Sequence, residues 1–409
     1  MKTLDSSELK AARRGVMLCL SLSMVLASLG TSIANIALPT LALAFDVPFH
    51  WVQWIVIAYL VSITLFVVIA GRLGDVFGRQ RMLLLGLVLF SLASALCGLA
   101  SSLWMLIAAR AIQGIGAAFM MTLTIALVRE TVGTERVGRT MGLLGTMSAV
   151  GTALGPSLGG VLIDWVGWPA IFLVLVPVGL LAAGLALRFL PAVAPVEKTP
   201  RLNVSALGKS GVFPGLAVNF LVANVMMATL VVGPFYLAFA LHLQEAVVGL
   251  VMSVGPALSI CTGVPSGRLV DSWGRRRVLA LGLGTLAAGA LSLSVLPATF
   301  GVVGYIAAIA ILTPGYQMFQ SSNTVMVMAD VSADQRGAVS GLLNLSRNIG
   351  LISGASVMGA IFSAGVGSAA IEDAPSAAVT DGLQITFLLA GLSILVALWF
   401  LRRLGSDHV

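Results

Sequence analysis

Long apolar runs constrain this chain more than any other feature. Twelve of them, separated mostly by short connections, account for most of its 409 residues. The hydrocarbon core of a bilayer is about 30 Å thick, so a helix needs about 20 apolar residues to cross it. Charged residues make up 10% of the sequence, against about 25% in soluble domains. The runs are continuous, whereas barrel strands alternate in polarity. The sequence therefore predicts an all-α membrane protein with twelve transmembrane helices.

The apolar runs fall into two groups of six. A polar, proline-containing stretch at 191–210 separates the groups. We therefore predict an N-terminal six-helix bundle at 1–190, a cytoplasmic linker at 191–210 and a C-terminal six-helix bundle at 211–409. The predicted spans 1 to 12 cover residues 15–43, 50–70, 82–99, 103–128, 139–163, 170–190, 212–241, 247–264, 278–296, 302–328, 338–362 and 383–400.

The net charge of +7 could indicate nucleic-acid binding, but its distribution indicates membrane topology instead. Every Lys and Arg outside the spans falls on one side of the membrane. By the positive-inside rule that side is cytoplasmic, so both termini are predicted to be cytoplasmic. The predicted location is the bacterial inner (plasma) membrane. The opposite side carries only acidic charges: Asp46, Asp164, Glu245, Glu372, Asp373 and Asp381.

A charged segment between spans 2 and 3, residues 71–81, occurs a second time at residues 267–277. Both copies share the spacing Gly-x-Leu-x-Asp-x-x-Gly-Arg and are predicted to be loops. Glycines of span 5 also recur in span 11, at 350, 354 and 359. Two related halves follow. Because each half has an even number of spans, the halves have the same orientation and are related by an axis along the membrane normal.

The repeated segment resembles the signature loop of the major facilitator superfamily, and the span count and linker match that family too. The resemblance covers essentially the whole chain and implies a transporter that works by alternating access. It also implies that the segment is a conformational latch, with Asp75 facing the positive N-terminal end of a helix, plausibly span 11. Arg79 could equally be a plain positive-inside anchor. The predicted latch residues are Gly71, Asp75, Gly78, Arg79, Asp271 and Arg275.

Span 4 contains the pattern Arg-x-x-Gln-Gly-x-Gly, beginning at Arg110 and including Gln113. The pattern resembles a superfamily motif implicated in proton coupling. An arginine inside a span costs at least about 2.5–3.5 kcal/mol on insertion scales, so Arg110 should face protein or a water-filled cavity. The alternative is a structural role, with Arg110 hydrogen-bonded to backbone between helices.

Span 5 has glycines four residues apart and an internal proline, a pattern that allows close helix packing. It resembles the signature of the drug:proton antiporter, or multidrug efflux, branch of the superfamily. Generic packing of small residues is the alternative. The motif residues are Gly151, Gly155, Pro156, Gly159 and Gly160.

Span 1, at residues 29–39, resembles a motif of multidrug antiporters, but Gly30 stands where that family has Asp. Span 6 departs from the family pattern as well, whereas residues 341–350 of span 11 match it. No Asp or Glu falls in the middle of any span, although Arg110 and Arg347 do. We therefore expect neutral or anionic amphipathic substrates, because a carboxylate or phosphate can pair bidentately with arginine. The candidate groups for carrying the proton are then Asp75, Asp46 and the substrate itself.

Polar residues in the central spans form a candidate substrate lining, although helix–helix hydrogen bonding explains each of them equally well. They are Asn35, Gln113, Asn219, Asn224, Gln317, Gln320, Asn323 and Asn344.

These features predict a monomeric secondary transporter that exports small amphipathic compounds in exchange for protons. A uniporter or symporter for one metabolite is the alternative. The expected partners are a small-molecule substrate, protons and the lipid bilayer, without nucleic acid. The three cysteines fall in apolar runs without metal-ligand spacing, so no metal site is predicted. The sequence shows no cluster of acids, bases or metal ligands, so no cofactor or enzymatic activity is predicted.

Overall fold

The structure, a computed structural model, describes residues 6–131, 137–190, 212–329, 331, 335–368 and 370–406. The predicted linker at 191–210 lies outside these residues. Within them the chain is helical. Its α-helices are α1 (Ser6–Ile36), α2 (Leu38–Phe45), α3 (Phe49–Val52), α4 (Trp54–Phe77), α5 (Arg79–Gly98), α6 (Leu103–Thr131), α7 (Val137–Val166), α8 (Ala170–Leu173), α9 (Leu175–Phe189), α10 (Val212–Phe235), α11 (Glu245–Trp273), α12 (Arg275–Leu293), α13 (Leu296–Met328), α14 (Arg336–Val366) and α15 (Ser376–Ser406).

Twelve stretches of the described residues are long and apolar enough to cross a membrane, which confirms the predicted all-α membrane fold. Several spans are interrupted. Span 1 breaks at Ala37, and α2 begins next to it with Pro39 in its first turn, where a missing backbone N–H costs little. Span 7 ends in a π-helical turn, Tyr236–Ala240, directly after α10. Pro234 lies at the end of α10, next to this turn.

The two copies of the repeated segment are not loops, which corrects the prediction for residues 71–81 and 267–277. Helix α4 continues to Phe77 and α11 to Trp273, so a single glycine makes each turn. Gly78 has φ 93° and Gly274 has φ 82°. Only glycine adopts this backbone region at low cost. The repeat therefore places the same sharp helix-to-helix turn at the same point of each half.

Contacts divide the chain into two compact units. Unit 1 comprises Met1–Ala34 and Ala58–Pro200, and unit 2 comprises Asn35–Ile57 and Arg201–Val409. The second unit thus includes a segment from the N-terminal half of the sequence. The predicted bundles at 1–190 and 211–409 are continuous in sequence, so they differ from these two units. The predicted bundles follow the two sequence repeats and stay a prediction.

The segment Asn35–Ile57 is held in unit 2 by apolar and close-packed contacts. Phe49, which is 1% exposed, packs edge-on against Phe235 at 4.6 Å and Phe362 at 5.4 Å between ring centroids. The amide of Gln53 fills the space beside Gly359, so that a Cβ added to this glycine would overlap it. Side chains of α3 thereby join α14 to the first half of the sequence.

Candidate functional site

The centre of unit 1 is built around Arg110, which is 0% exposed. Its guanidinium donates hydrogen bonds to the carbonyl oxygen of Gly30, 3.0 Å away, and to Oε1 of Gln113. It also lies 4.0 Å from the centroid of the Tyr59 ring, a cation–π contact. Gln113 in turn donates to Oγ of Ser94 at 2.7 Å. The cluster links α1, α4, α5 and α6. The bond to Gly30 is the hydrogen bond to backbone between helices that the sequence analysis gave as the alternative role of Arg110.

Gly30 supplies a backbone carbonyl where the resembled antiporters have an acid. A Cβ at this position would lie 3.0 Å from the Tyr59 hydroxyl and 3.1 Å from the ring of Phe90. The same hydroxyl donates a hydrogen bond to the carbonyl of Ala27 at 2.9 Å. Two aromatic side chains therefore occupy the space that a side chain at position 30 would need.

Glycines of span 5 bring α7 against α1. A Cβ added to Gly155 would overlap Oγ of Ser32, and the same hydroxyl donates to the carbonyl of Gly151 at 3.3 Å. Gly159 and Gly160 are buried, and Pro156 lies within α7 without ending it. The motif thus packs these two helices closely, which is what its glycine spacing predicts.

The equivalent glycines of span 11 pack α14 against α10 in unit 2. Cβ atoms added to Gly350 and Gly354 would overlap backbone carbonyls of Phe220 and Asn224. Asn224 also donates to Oγ of Ser353 at 2.9 Å. The sequence repeat therefore corresponds to the same helix contact in each half.

Whereas Arg110 is buried, Arg347 is exposed. It lies in the candidate span Val339–Val366, yet its side chain is exposed. Among the described residues it has no ion pair or side-chain hydrogen bond. Ser340 and Asn344 precede it at spacings of seven and three residues and are exposed too. Since an arginine facing lipid is costly, this polar stripe indicates an aqueous surface of unit 2.

A different face of α14 carries exposed apolar side chains, including Leu345 at 40% and Ile349 at 44% exposure. Such side chains are suited to lipid. The exposed part of α14 therefore has one face for water, with Asn344 and Arg347, and another for the bilayer.

The other predicted lining residues are mostly bound between helices. Asn323 is 2% exposed and donates to the carbonyl of Gly215 at 3.3 Å. Gln317 is partly exposed and donates to the carbonyl of Ser259 at 3.0 Å, while Asn35 is buried within unit 2. Asn219 and Asn224 bond to α14. Four of the predicted lining residues, Asn219, Asn224, Gln317 and Asn323, thus form hydrogen bonds between helices, and a substrate lining stays a prediction.

The predicted latch contains an ion pair in its first copy only. Arg79 donates to a carboxylate oxygen of Asp75 from Nε at 3.1 Å and from Nη2 at 2.8 Å. The pair joins α4 to α5 across the turn at Gly78. Asp271 and Arg275, their equivalents, are exposed. The interaction of Asp75 with a helix N-terminus stays a prediction.

The sequence analysis did not identify Tyr59, whose ring makes the cation–π contact with the Arg110 guanidinium. It is the only tyrosine in residues 1–200, and a single aromatic hydroxyl in an apolar span was the available signal.

The family model of the Major Facilitator Superfamily matches residues 20–355. The chain belongs to this superfamily. The riboflavin transporter RibZ of Clostridioides difficile (strain 630) is 25% identical across 85% of this chain and 88% of its own. Multidrug resistance protein Stp of Mycobacterium tuberculosis (strain CDC 1551 / Oshkosh) is 37% identical across 41% of this chain and 32% of its own.

The fold is shared with solved major facilitator structures. A bacterial homologue of the human lysosomal transporter Spinster superposes with a TM-score of 0.81, covering 97% of both chains at 16% identity. The match confirms the fold class. Together with the family, it identifies the chain as a multi-pass membrane transporter.

Proposed function

We propose that this major facilitator protein is a proton-coupled secondary transporter that exports small amphipathic compounds, with neutral and anionic compounds favoured over cationic ones. The observation that carries the proposal is the exposed guanidinium of Arg347 inside a predicted span. A carboxylate or phosphate of the substrate would pair with it, and Asn344 would add a hydrogen bond on the same stripe.

The export part of the proposal rests on the span 5 motif and on the likeness to Stp. Gly155 and Pro156 match the antiporter pattern, and Stp is named for multidrug resistance. The transporter would act as a monomer in the bacterial inner membrane with both termini cytoplasmic, as the charge distribution predicts.

A specific metabolite carrier, working as a uniporter or symporter, is the second candidate. The likeness to RibZ favours it, because that relative is named for one metabolite and matches over most of both chains. The glycine at position 30 favours it too, because the antiporter motif has an acid there.

Transport in proteoliposomes with an imposed pH gradient would test the proposal. We expect gradient-dependent flux for amphipathic carboxylates and neutral compounds, with less flux for organic cations. Substrate flux that is independent of the pH gradient would exclude proton antiport. Saturable flux of riboflavin alone among the compounds tested would favour the metabolite carrier.

Two substitutions test Arg347 itself. Arg347→Gln should abolish the preference for carboxylates, whereas Arg347→Lys should retain part of it because the positive charge remains. Both variants should melt close to the parent, since the side chain is exposed. Unchanged carboxylate flux in Arg347→Gln would contradict the assignment of this residue.

A further inference from the structure

A cavity of about 120 Å³ lies in unit 2 where span 1 and span 7 lose their regular helical form. Ile36, Pro39 and Leu43 line one side, and Ala238 and Phe239 of the π-helical turn line the other. The polar groups at its edge are the side chains of Thr40 and Glu245. This cavity is separate from the polar stripe of α14.

Backbone irregularities lie on both sides of the cavity. Helix α2 begins after the break at Ala37 with Pro39 in its first turn, and Pro234 lies in the last turn of α10, next to the π-helical turn. A π-helical turn is wider than an α-helical one and is often found at functional sites. Helix α2 packs against α10, and the cavity lies beside the π-helical turn that follows α10.

Glu245 determines the charge that the cavity can accept. It is the one charged residue of the lining, it is partly exposed, and it belongs to none of the ion pairs found among the described residues. The sequence places no Lys or Arg on the same side of the membrane as Glu245. A cavity lined by one carboxylate residue among mostly apolar side chains is complementary to a cation with an apolar body.

The size of the cavity limits the ligand. A cavity of about 150 Å³ in a soluble protein holds benzene, so this one, at about 120 Å³, is on the scale of a single ring or a short alkyl chain.

We propose that this cavity is a binding site for small amphipathic ammonium compounds. The ammonium group pairs with Glu245, and the apolar body lies between Pro39 and Phe239. Such a ligand touches both α2 and the π-helical turn, so it stabilises the arrangement in which these segments lie together. The site goes beyond the proposed function, because it is separate from Arg347 and has the opposite charge preference.

Calorimetric titration of the purified protein in a neutral detergent tests the site without any transport step. Benzylammonium should bind saturably at pH 7.5, whereas benzyl alcohol should bind at least tenfold more weakly. Glu245→Gln should weaken benzylammonium binding at least tenfold. The matched control is Asp381→Asn, which removes an exposed acid on the same predicted side and should bind like the parent.

A second variant removes the space instead of the charge. Ala238→Leu fills the cavity and leaves Glu245 in place, so it should also abolish binding. Equal affinity of the parent and Glu245→Gln would overturn the proposal, as would the absence of saturable benzylammonium binding to the parent. Neither result bears on proton-coupled export, because the titration involves no flux.

Discussion

Arg110 donates a hydrogen bond to the backbone carbonyl of Gly30 across 3.0 Å. The contact joins a charged side chain of span 4 to a position in span 1 that has no side chain. Gln113 and the ring of Tyr59 also contact the guanidinium, so dipoles and a π-face help to stabilise a full charge here. Such a cluster is sensitive to any change in the geometry of its donors.

Arg110→Lys should therefore destabilise the protein. A lysine cannot reproduce the planar fork that reaches Gly30 and Gln113 together. A lost hydrogen bond of a charged group costs about 1.5–3 kcal/mol, which should lower the apparent melting temperature in detergent. Arg347→Lys, at an exposed position, is the control. A larger decrease for Arg347→Lys than for Arg110→Lys would contradict the structural role of Arg110.

Gly155→Ala should destabilise the contact between α7 and α1, because the new methyl group overlaps Ser32. Overpacking of this kind costs about 1–3 kcal/mol. Gly142 lies on the same helix with nothing within 4 Å of an added Cβ, so Gly142→Ala is the matched control. Thermal unfolding followed by tryptophan fluorescence measures both variants. Equal melting temperatures for the two would argue against close packing at Gly155.

Phe49→Ala should weaken the attachment of the segment Asn35–Ile57 to unit 2. It removes a buried ring that contacts Phe235 and Phe362, and such truncations cost about 3–5 kcal/mol. Hydrogen exchange should increase in α2 and α3. Trp51→Ala is the control, since Trp51 is 39% exposed. Faster exchange in the Trp51 variant alone would contradict this assignment.

Asp75→Asn should reduce transport with little loss of stability. Its pair with Arg79 is partly exposed and joins α4 to α5 across the turn at Gly78, and solvent-exposed pairs contribute about 0.2–1 kcal/mol. A latch residue nevertheless biases the two transport states, so initial rates in proteoliposomes should decrease several-fold. Asp271→Asn, whose residue forms no ion pair among those described, should have the smaller effect. Equal rates for Asp75→Asn and the parent would exclude a latch at Asp75.

The sequence predicted the spans well because the bilayer imposes a length and a polarity on each helix, and both are visible in a single chain. The repeat was visible for a similar reason, since Gly78 and Gly274 each make a turn that other residues adopt only at a cost. The predicted loops around them were wrong because apolar residues such as Leu73 and Phe77 continue the helix up to the glycine. Charge alone did not indicate where α4 ends.

The candidate site was predicted in part. Residues 110–116 and 151–160 indicated which helices matter, but the pattern left each polar side chain with two readings, substrate contact or helix packing. Partners far apart in sequence decide between these readings. Asn323, for example, bonds to the backbone of Gly215, and no local pattern shows that contact.

By itself the sequence determined that the chain forms twelve membrane helices in two related halves, because hydropathy and glycine spacing are local properties. The tertiary structure decided what the two arginines inside the spans do. Arg110 is enclosed by four helices, while Arg347 is exposed beside Asn344. The difference follows from which helix face meets a neighbouring helix, and only the packing of distant segments determines that.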